Sequence, residues 1–227
     1  MSDNHDDATA DLLIREVDED LRHEQMEQMW KRYGSLVVAA AVALVLSVAG
    51  WQAWRTWDVK QRQASSLRYF EATQLADHGK RDQAMLDLAR LATDGTKGYR
   101  LLADMTRAAL DEDKGDFAGA SAIYHGVAAA GGIDPVYRNI ALLKASYIDL
   151  DTVDPATIEK AVAPLTEEAS PWRHSAREVM ALAALKRGDT AAAAEFFRKL
   201  ADDVAAPQGV RARAAEMLAT LPPKAKS

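Results

Sequence analysis

The chain has no cysteine. That excludes disulfides, thiol nucleophiles and cysteine-ligated metals, and it suits an oxidising or a reducing compartment equally. The five histidines, His5, His23, His78, His125 and His174, are scattered, with no pair at metal-ligand spacing. No glycine-rich phosphate loop, dinucleotide fingerprint or nucleophile-elbow motif is present. Gly131-Gly132 reads as a turn between helices, and Asp111-Glu112-Asp113 reads as a solvated helix end, because three adjacent helical residues point in different directions. His125, beside Tyr124, reads as a packed or surface side chain. No segment alternates apolar and polar residues in the manner of a strand. These absences point away from an enzyme: no catalytic residue, cofactor, metal or small-molecule substrate is expected.

Charge is unevenly spread. The formal net charge is −6, and residues 1–33 alone hold ten Asp/Glu and four Lys/Arg, leaving 24 charges of each sign in the remainder. A neutral domain gives no electrostatic reason to bind nucleic acid.

What the chain does have is one long uncharged run. Tyr33 to Trp54, YGSLVVAAAVALVLSVAGWQAW, is 22 residues without a charge. As a helix at about 1.5 Å per residue it reaches the roughly 30 Å of a bilayer's hydrocarbon core. Trp30, Lys31, Arg32 and Tyr33 form a collar before it, and Trp51, Trp54 and Trp57 stand at its far end, where amphipathic rings favour the headgroup region. A buried core helix and a cleaved leader (Ser47-Val48-Ala49 has the small-x-small form) are the alternatives. The length without charge argues against the first, and the long acidic stretch before the run argues against the second. The expected organisation is an acidic tail over residues 1–32, a transmembrane helix over 33–54, a helical domain over 55–221 and a disordered tail over 222–227. Within the first segment, residues 1–10 read as disordered, and Ile14, Val17 and Leu21 form the stripe of a short amphipathic helix between Asp11 and Trp30. Basic residues near the span number four on each side, so their count does not orient it.

After the span the pattern is helical and periodic. Gly79, Gly115, Asp151 and Gly188 recur at 36, 36 and 37 residues, and five residues after each stands an alanine: Ala84, Ala120, Ala156 and Ala193. Large residues follow nine positions after the turn at Leu88, Tyr124 and Phe197, where they should plug between helices; Lys160 departs from this. Pro135, Pro171 and Pro207, with Gly98 in the first unit, mark the starts of later helices. The spacing predicts hairpins over 62–78 and 81–93, 99–113 and 117–130, 136–149 and 155–168, and 172–186 and 190–204, with a capping helix over 208–220.

These residues resemble the tetratricopeptide repeat. Gly115-Asp116-Phe117 with Ala120 and Tyr124, and Gly188-Asp189 with Ala193 and Phe197, match its turn, small and aromatic positions. The fold expected is thus all-α: one transmembrane helix followed by a TPR-like right-handed superhelix of about four hairpins plus a C-terminal cap. The front end, Glu24-Gln25-Met26-Glu27, Trp30-Lys31-Arg32-Tyr33-Gly34, the span, then Gly50-Trp51 and Trp54, resembles the YfgM-like family, with Arg15-Glu16-Val17-Asp18-Glu19-Asp20-Leu21-Arg22 similar to its alphaproteobacterial type. That family is an ancillary subunit of the bacterial Sec translocon. The resemblance implies a single-pass protein of the inner membrane with its tail cytoplasmic and its domain periplasmic. The implied partners are the Sec channel subunits, a membrane-anchored periplasmic chaperone and translocating polypeptides. Two other roles stay open: a cell-envelope or cell-division organiser, and an assembly factor that holds an apo-protein.

In TPR arrays the first helices line the concave face, so Arg138, Lys144, Arg173 and Arg177 are candidates for gripping a partner's carboxylate, or ordinary surface charges. Tyr99, Tyr137, Tyr147 and Trp172 lie on the same helices as candidate anchors or as core. The protein-binding candidates are therefore Tyr99, Tyr137, Arg138, Lys144, Trp172, Arg173 and Arg177.

Overall fold

The structure, a computed structural model, describes residues 3–221, with side chains from Met26 onward. The tail expected at 222–227 and the Ile14–Val17–Leu21 stripe lie outside what is described. Among the described residues there are nine α-helices, one short 3-10 turn and no strand. The chain divides into two compact units, Met1–Lys60 and Gln61–Ser227.

α1 runs Asp3–Asp77, 75 residues in one helix. This differs from the expected separate tail helix, span and first hairpin helix, and, over residues 3–10, from the disorder expected for residues 1–10, of which the first two lie outside the described residues. Nothing in this stretch breaks a helix, for the first proline of the chain is Pro135, and Asp3, Asp6 and Asp7 suit a helix amino end. Within the first unit the apolar run stays uncovered. The most apolar window of Met26–Asp77 has a mean hydropathy of 2.1 and is 6% buried. A core helix of a soluble domain would bury most of that window.

The second unit is a series of antiparallel pairs. The end of α1 pairs with α2 (Arg81–Asp94), α3 (Lys97–Lys114) with α4 (Phe117–Ala129), α5 (Pro135–Asp149) with α6 (Pro155–Val162), and α7 (Arg173–Lys186) with α8 (Thr190–Asp202); α9 (Gln208–Thr220) closes the series. Three of the turns share one solution. Gly79, Gly115 and Gly188 adopt φ of 76°, 83° and 84°, a region open to glycine at no steric cost. The Gly115 amide donates to the Glu112 carbonyl and the Asp116 amide to the Asp111 carbonyl, closing the helix end in a Schellman arrangement. Asp116 and Asp189 then cap the next helix, their carboxylates accepting the amides of Gly119 and Ala192 at 2.9 Å. A Gly-Asp pair therefore both ends one helix and starts another.

The third pair differs, and this corrects the expected register. Asp151 does not take positive φ. The turn is longer, with Asp154 as the cap and Pro155 as the first helical residue, so α6 starts four residues after Asp151 rather than two. Ala84, Ala120 and Ala193 are each the fourth residue of their helix and fully buried. The fourth residue of α6 is Ile158, which is buried, whereas Ala156 is exposed. Likewise Leu88, Tyr124 and Phe197 are eighth in their helices and buried, and Val162 takes that place in α6 while Lys160 faces solvent. The α-helix expected to reach 168 ends at Val162. Pro164 lacks an amide and clashes with the preceding turn, so the chain continues as a 3-10 turn, Ala163–Thr166. Pro171 does not start a helix either, since Trp172 is the N-cap of α7; Pro207 is the N-cap of α9, and Gly98 lies inside α3.

Four apolar clusters hold consecutive pairs together. Ala72, Leu88, Leu91 and Ala103 join the first pair to α3. Ala108, Ala120, Tyr124, Ala141 and Ala145 join the second pair to α5. Leu143, Ile158, Val162, Ala176 and Val179 join the third to α7, and Phe197, Leu200, Val210 and Ala214 seat α9 on the fourth. So many fully buried alanines mean close backbone approach, with one large side chain per pair filling the gap.

Candidate functional site

Polar side chains cross the seams between pairs. The Tyr69 and Thr106 hydroxyls lie 2.9 Å apart, linking α1 to α3. Glu112 on α3 accepts hydrogen bonds from Tyr124 on α4 and, at 2.8 Å, from the Lys144 ammonium on α5, which also stands 4.9 Å from the Tyr124 ring centre. Burial works against the Glu112 charge, but the hydrogen bonds from Lys144 and Tyr124 outweigh it and lower the carboxyl's pKa. Asp149 at the end of α5 is buried and accepts from Ser121 at 2.6 Å, with His125 Nε2 2.7 Å from its other oxygen. Glu178 on α7 accepts from Tyr147 on α5 at 2.9 Å and from Arg213 on α9 through two bonds of 2.8 and 2.9 Å. Burial and then the Glu178 carboxylate push the Tyr147 phenol well above its usual range. Each of these acids is engaged by a donor from a neighbouring helix, which ties the stack and leaves none of them as a free general base.

An open cleft of about 610 Å³ lies where the 3-10 turn, α7 and α8 meet, lined by Thr166, Glu168, Arg177, Phe196, Lys199 and Asp203. Several of its polar side chains are engaged: Arg177 with Glu168 and with the Thr166 carbonyl inside the cleft, Asp203 with His174 at 2.9 Å and Lys199 with Glu195 at 2.9 Å beside it; Asp202 also lines the cleft. His174, then the Ala205 amide, lower the Asp203 pKa. Among the described residues no group of three His, Cys, Asp or Glu side chains is placed to hold a metal.

The candidates drawn from the sequence separate into two sets. Lys144, Arg173 and Arg177 are ion-paired, to Glu112 (2.8 Å), Glu168 (3.6 Å) and Glu168 again. Trp172 packs against the third cluster and Tyr99 against the first, its ring 6.0 Å from that of Tyr69. Tyr137 is an exposed ring, and Arg138 is half-buried and makes no ion pair among the described residues. Of the collar residues, Trp30, Tyr33, Trp51, Trp54 and Trp57 are exposed, Lys31 pairs with Glu27 at 2.9 Å, the Arg32 guanidinium stands 5.7 Å from the Tyr33 ring, and Trp51 and Trp54 rings are 5.6 Å apart.

Sequence reasoning does not single out Asp149, Glu178 or Arg213, and it reads Glu112 only as part of a solvated helix end. Glu178 carries a signal, as a lone acid in the run Ala176 to Leu185, at the helical spacing of buried positions. The acidic triplet around Glu112 is only partly the solvated end that its spacing suggests: Asp111 and Glu112 face protein, while Asp113 is exposed.

The family model of the tetratricopeptide repeat-like domain matches residues 27–211. The chain belongs to the tetratricopeptide repeat-like domain family. No curated protein and no solved structure matches it. Tetratricopeptide-repeat-like domains are typically protein-interaction scaffolds, and stacked hairpins provide extended binding surfaces rather than deep pockets. The match begins at Glu27, ahead of the apolar run, so the tetratricopeptide-repeat-like region as the family defines it includes that run.

Proposed function

We propose that the chain is an accessory subunit of the bacterial Sec translocon. Residues 33–54 anchor it as a single-pass protein of the inner membrane, with residues 1–32 cytoplasmic and the hairpin domain from residue 55 onward periplasmic. The domain binds a membrane-anchored periplasmic chaperone and the polypeptides emerging from the channel, and anchoring raises the local concentration of these partners. The observation that carries the reading is one chain joining an uncovered apolar run, framed by Trp30-Lys31-Arg32-Tyr33 and Trp51-Gln52-Ala53-Trp54, to a protein-binding repeat domain. The exposed collar rings support a membrane interface role. On the hairpins, Tyr137, whose ring is exposed, and Arg138, which makes no ion pair among the described residues, are assigned to partner contact.

The test is purification of the full chain in mild detergent with mass spectrometry of what accompanies it, beside a copy whose residues 33–54 are replaced by an unrelated span. Channel subunits present with the native span and absent with the swapped one are expected. If soluble envelope proteins accompany both copies and no channel subunit accompanies either, the translocon role fails and an envelope-organising role takes its place.

A further inference from the structure

The first hairpin carries an apolar face where the later hairpins carry a buried contact. α3, α5 and α7 each place an alanine against the hairpin before: Ala103 on Leu88 and Leu91, Ala141 on Ala120 and Tyr124, Ala176 on Ile158 and Val162, all fully buried. Each stands 17 residues before the buried fourth residue of its hairpin's second helix, Ala120, Ile158 and Ala193. The same count back from Ala84 gives Leu67. No hairpin precedes it, and Leu67 and Phe70, one turn on, are each 58% exposed. The outer face of a terminal repeat needs to be polar for solubility. Here it holds a leucine and a phenylalanine, larger and more apolar than the alanines that mediate stacking inside.

We infer that this face is where a second copy of the same chain docks, α1 against α1. Gln63, Leu67, Phe70 and Gln74 are spaced four, three and four apart, the alternation that keeps a seam facing a parallel partner helix. The two apolar residues form its centre, and a glutamine on either side can hydrogen-bond to its own counterpart across the seam. Two copies anchored by residues 33–54 in one membrane share one orientation and are related by rotation about the membrane normal, so like positions meet across the rotation axis. The four seam positions are uncharged, with Lys60 and Asp77 falling only at its ends, so no like charges oppose each other in the middle. The area is small. Two half-exposed side chains supply well under half of the about 800 Å² per partner that a stable soluble dimer takes. The pairing therefore belongs to copies concentrated in one membrane. It depends on the anchor and not on which other protein the domain binds.

The absence of cysteine makes the test direct. Single-cysteine full chains Leu67→Cys, Phe70→Cys and Leu86→Cys (Leu86 is also exposed, on α2) are reconstituted in lipid vesicles and oxidised with copper phenanthroline. Covalent dimer is expected at least about tenfold more at 67 and 70 than at 86, since proximity raises effective concentration. In parallel, copies labelled at Leu86→Cys report energy transfer in vesicles, and adding Leu67→Asp with Phe70→Asp is expected to reduce it to the unpaired background. Circular dichroism should show the helix content unchanged, since both side chains are exposed. Equal cross-linking at all three positions, energy transfer indifferent to the two aspartates, or cross-links from 67 and 70 in native membranes that reach only a different protein would each overturn the pairing. None of these results bears on co-purification of channel subunits, so the two proposals fail separately.

Discussion

The register of the third hairpin makes a matched experiment possible. Ala120 and Ala156 stand five residues after Gly115 and Asp151, and the sequence presents them as equivalents. Ala120 is fully buried against Tyr124, Ala108 and Ala141, whereas Ala156 is exposed. Leucine at 120 adds three carbons where backbones already approach closely. Overpacking of this kind costs about 1–3 kcal/mol or more. In a domain of this size each kcal/mol moves Tm by about 2–4 °C, so Ala120→Leu should lower Tm by roughly 2–12 °C. Ala156→Leu, with solvent in front of it, should stay within about 0.5 kcal/mol of the parent. The reverse change completes the set: Ile158→Ala removes a buried side chain beside Val162 and Val179 and should cost about 2–4 kcal/mol. Thermal melts of the full chain in mild detergent, followed by circular dichroism at 222 nm, read all three. Equal losses for Ala156→Leu and Ala120→Leu, with Ile158→Ala neutral, would rule out the two-residue shift.

Three further outcomes follow from named contacts. Gly115→Ala forces a Cβ into φ 83° and should cost about 1–2 kcal/mol, while Gly98→Ala, inside α3 with nothing within 4 Å of a new Cβ, should gain about 0.5–1 kcal/mol; denaturant midpoints distinguish them. Glu178→Leu strands the Tyr147 hydroxyl but lets the 59% exposed Arg213 side chain turn to water, and should cost about 1–3 kcal/mol; Arg213→Ala leaves the Glu178 carboxylate, 9% exposed, with only the Tyr147 hydroxyl and should cost about 2–4 kcal/mol; the same denaturant midpoints compare the two. Against the effect of burial, hydrogen bonds from Lys144 and Tyr124 hold the Glu112 carboxyl below the usual glutamate range, so its contribution is present above the ordinary glutamate pKa and is lost as pH falls through the lower folded one. Tm should therefore drop more for the parent than for Glu112→Gln between pH 5 and pH 3, by an amount worth under about 1 kcal/mol for so exposed a pair. A Glu112→Gln variant that falls as steeply as the parent would remove Glu112 from the acid response.

Much of the fold is legible along the chain because each signal is local. A glycine that must take positive φ, an aspartate that caps, an alanine that permits close approach and one large residue that fills the gap are choices made within a single hairpin, and repetition every 36 or 37 residues makes them visible. The hairpin limits follow from these choices to within two residues, except that the first helix is continuous from Asp3 and the sixth ends at Val162 rather than 168. The third hairpin departs at Ala156 because its glycine is replaced by Asp151, and equal spacing along the chain then ceases to mean equal spacing along the helix. The candidate surface is harder to read. Arg173 and Arg177 resemble free cations on a first helix until the 3-10 turn, broken out of α6 by Pro164, brings Glu168 beside them.

The helical class, the apolar run, the hairpin periodicity and the glycine turns follow from residue order alone, since each rests on the backbone preference or hydropathy of nearby residues. Which charges are spent follows from the packing of distant segments. Lys144 meets Glu112 32 residues away, Arg213 meets Glu178 35 residues away, and His174 lies against Asp203. Packing also leaves Leu67 facing outward while its counterparts Ala103, Ala141 and Ala176 are covered. The physical reason is the same in both cases. A side chain's partners across a seam are set by how one hairpin stacks on the next, and the first hairpin has none before it.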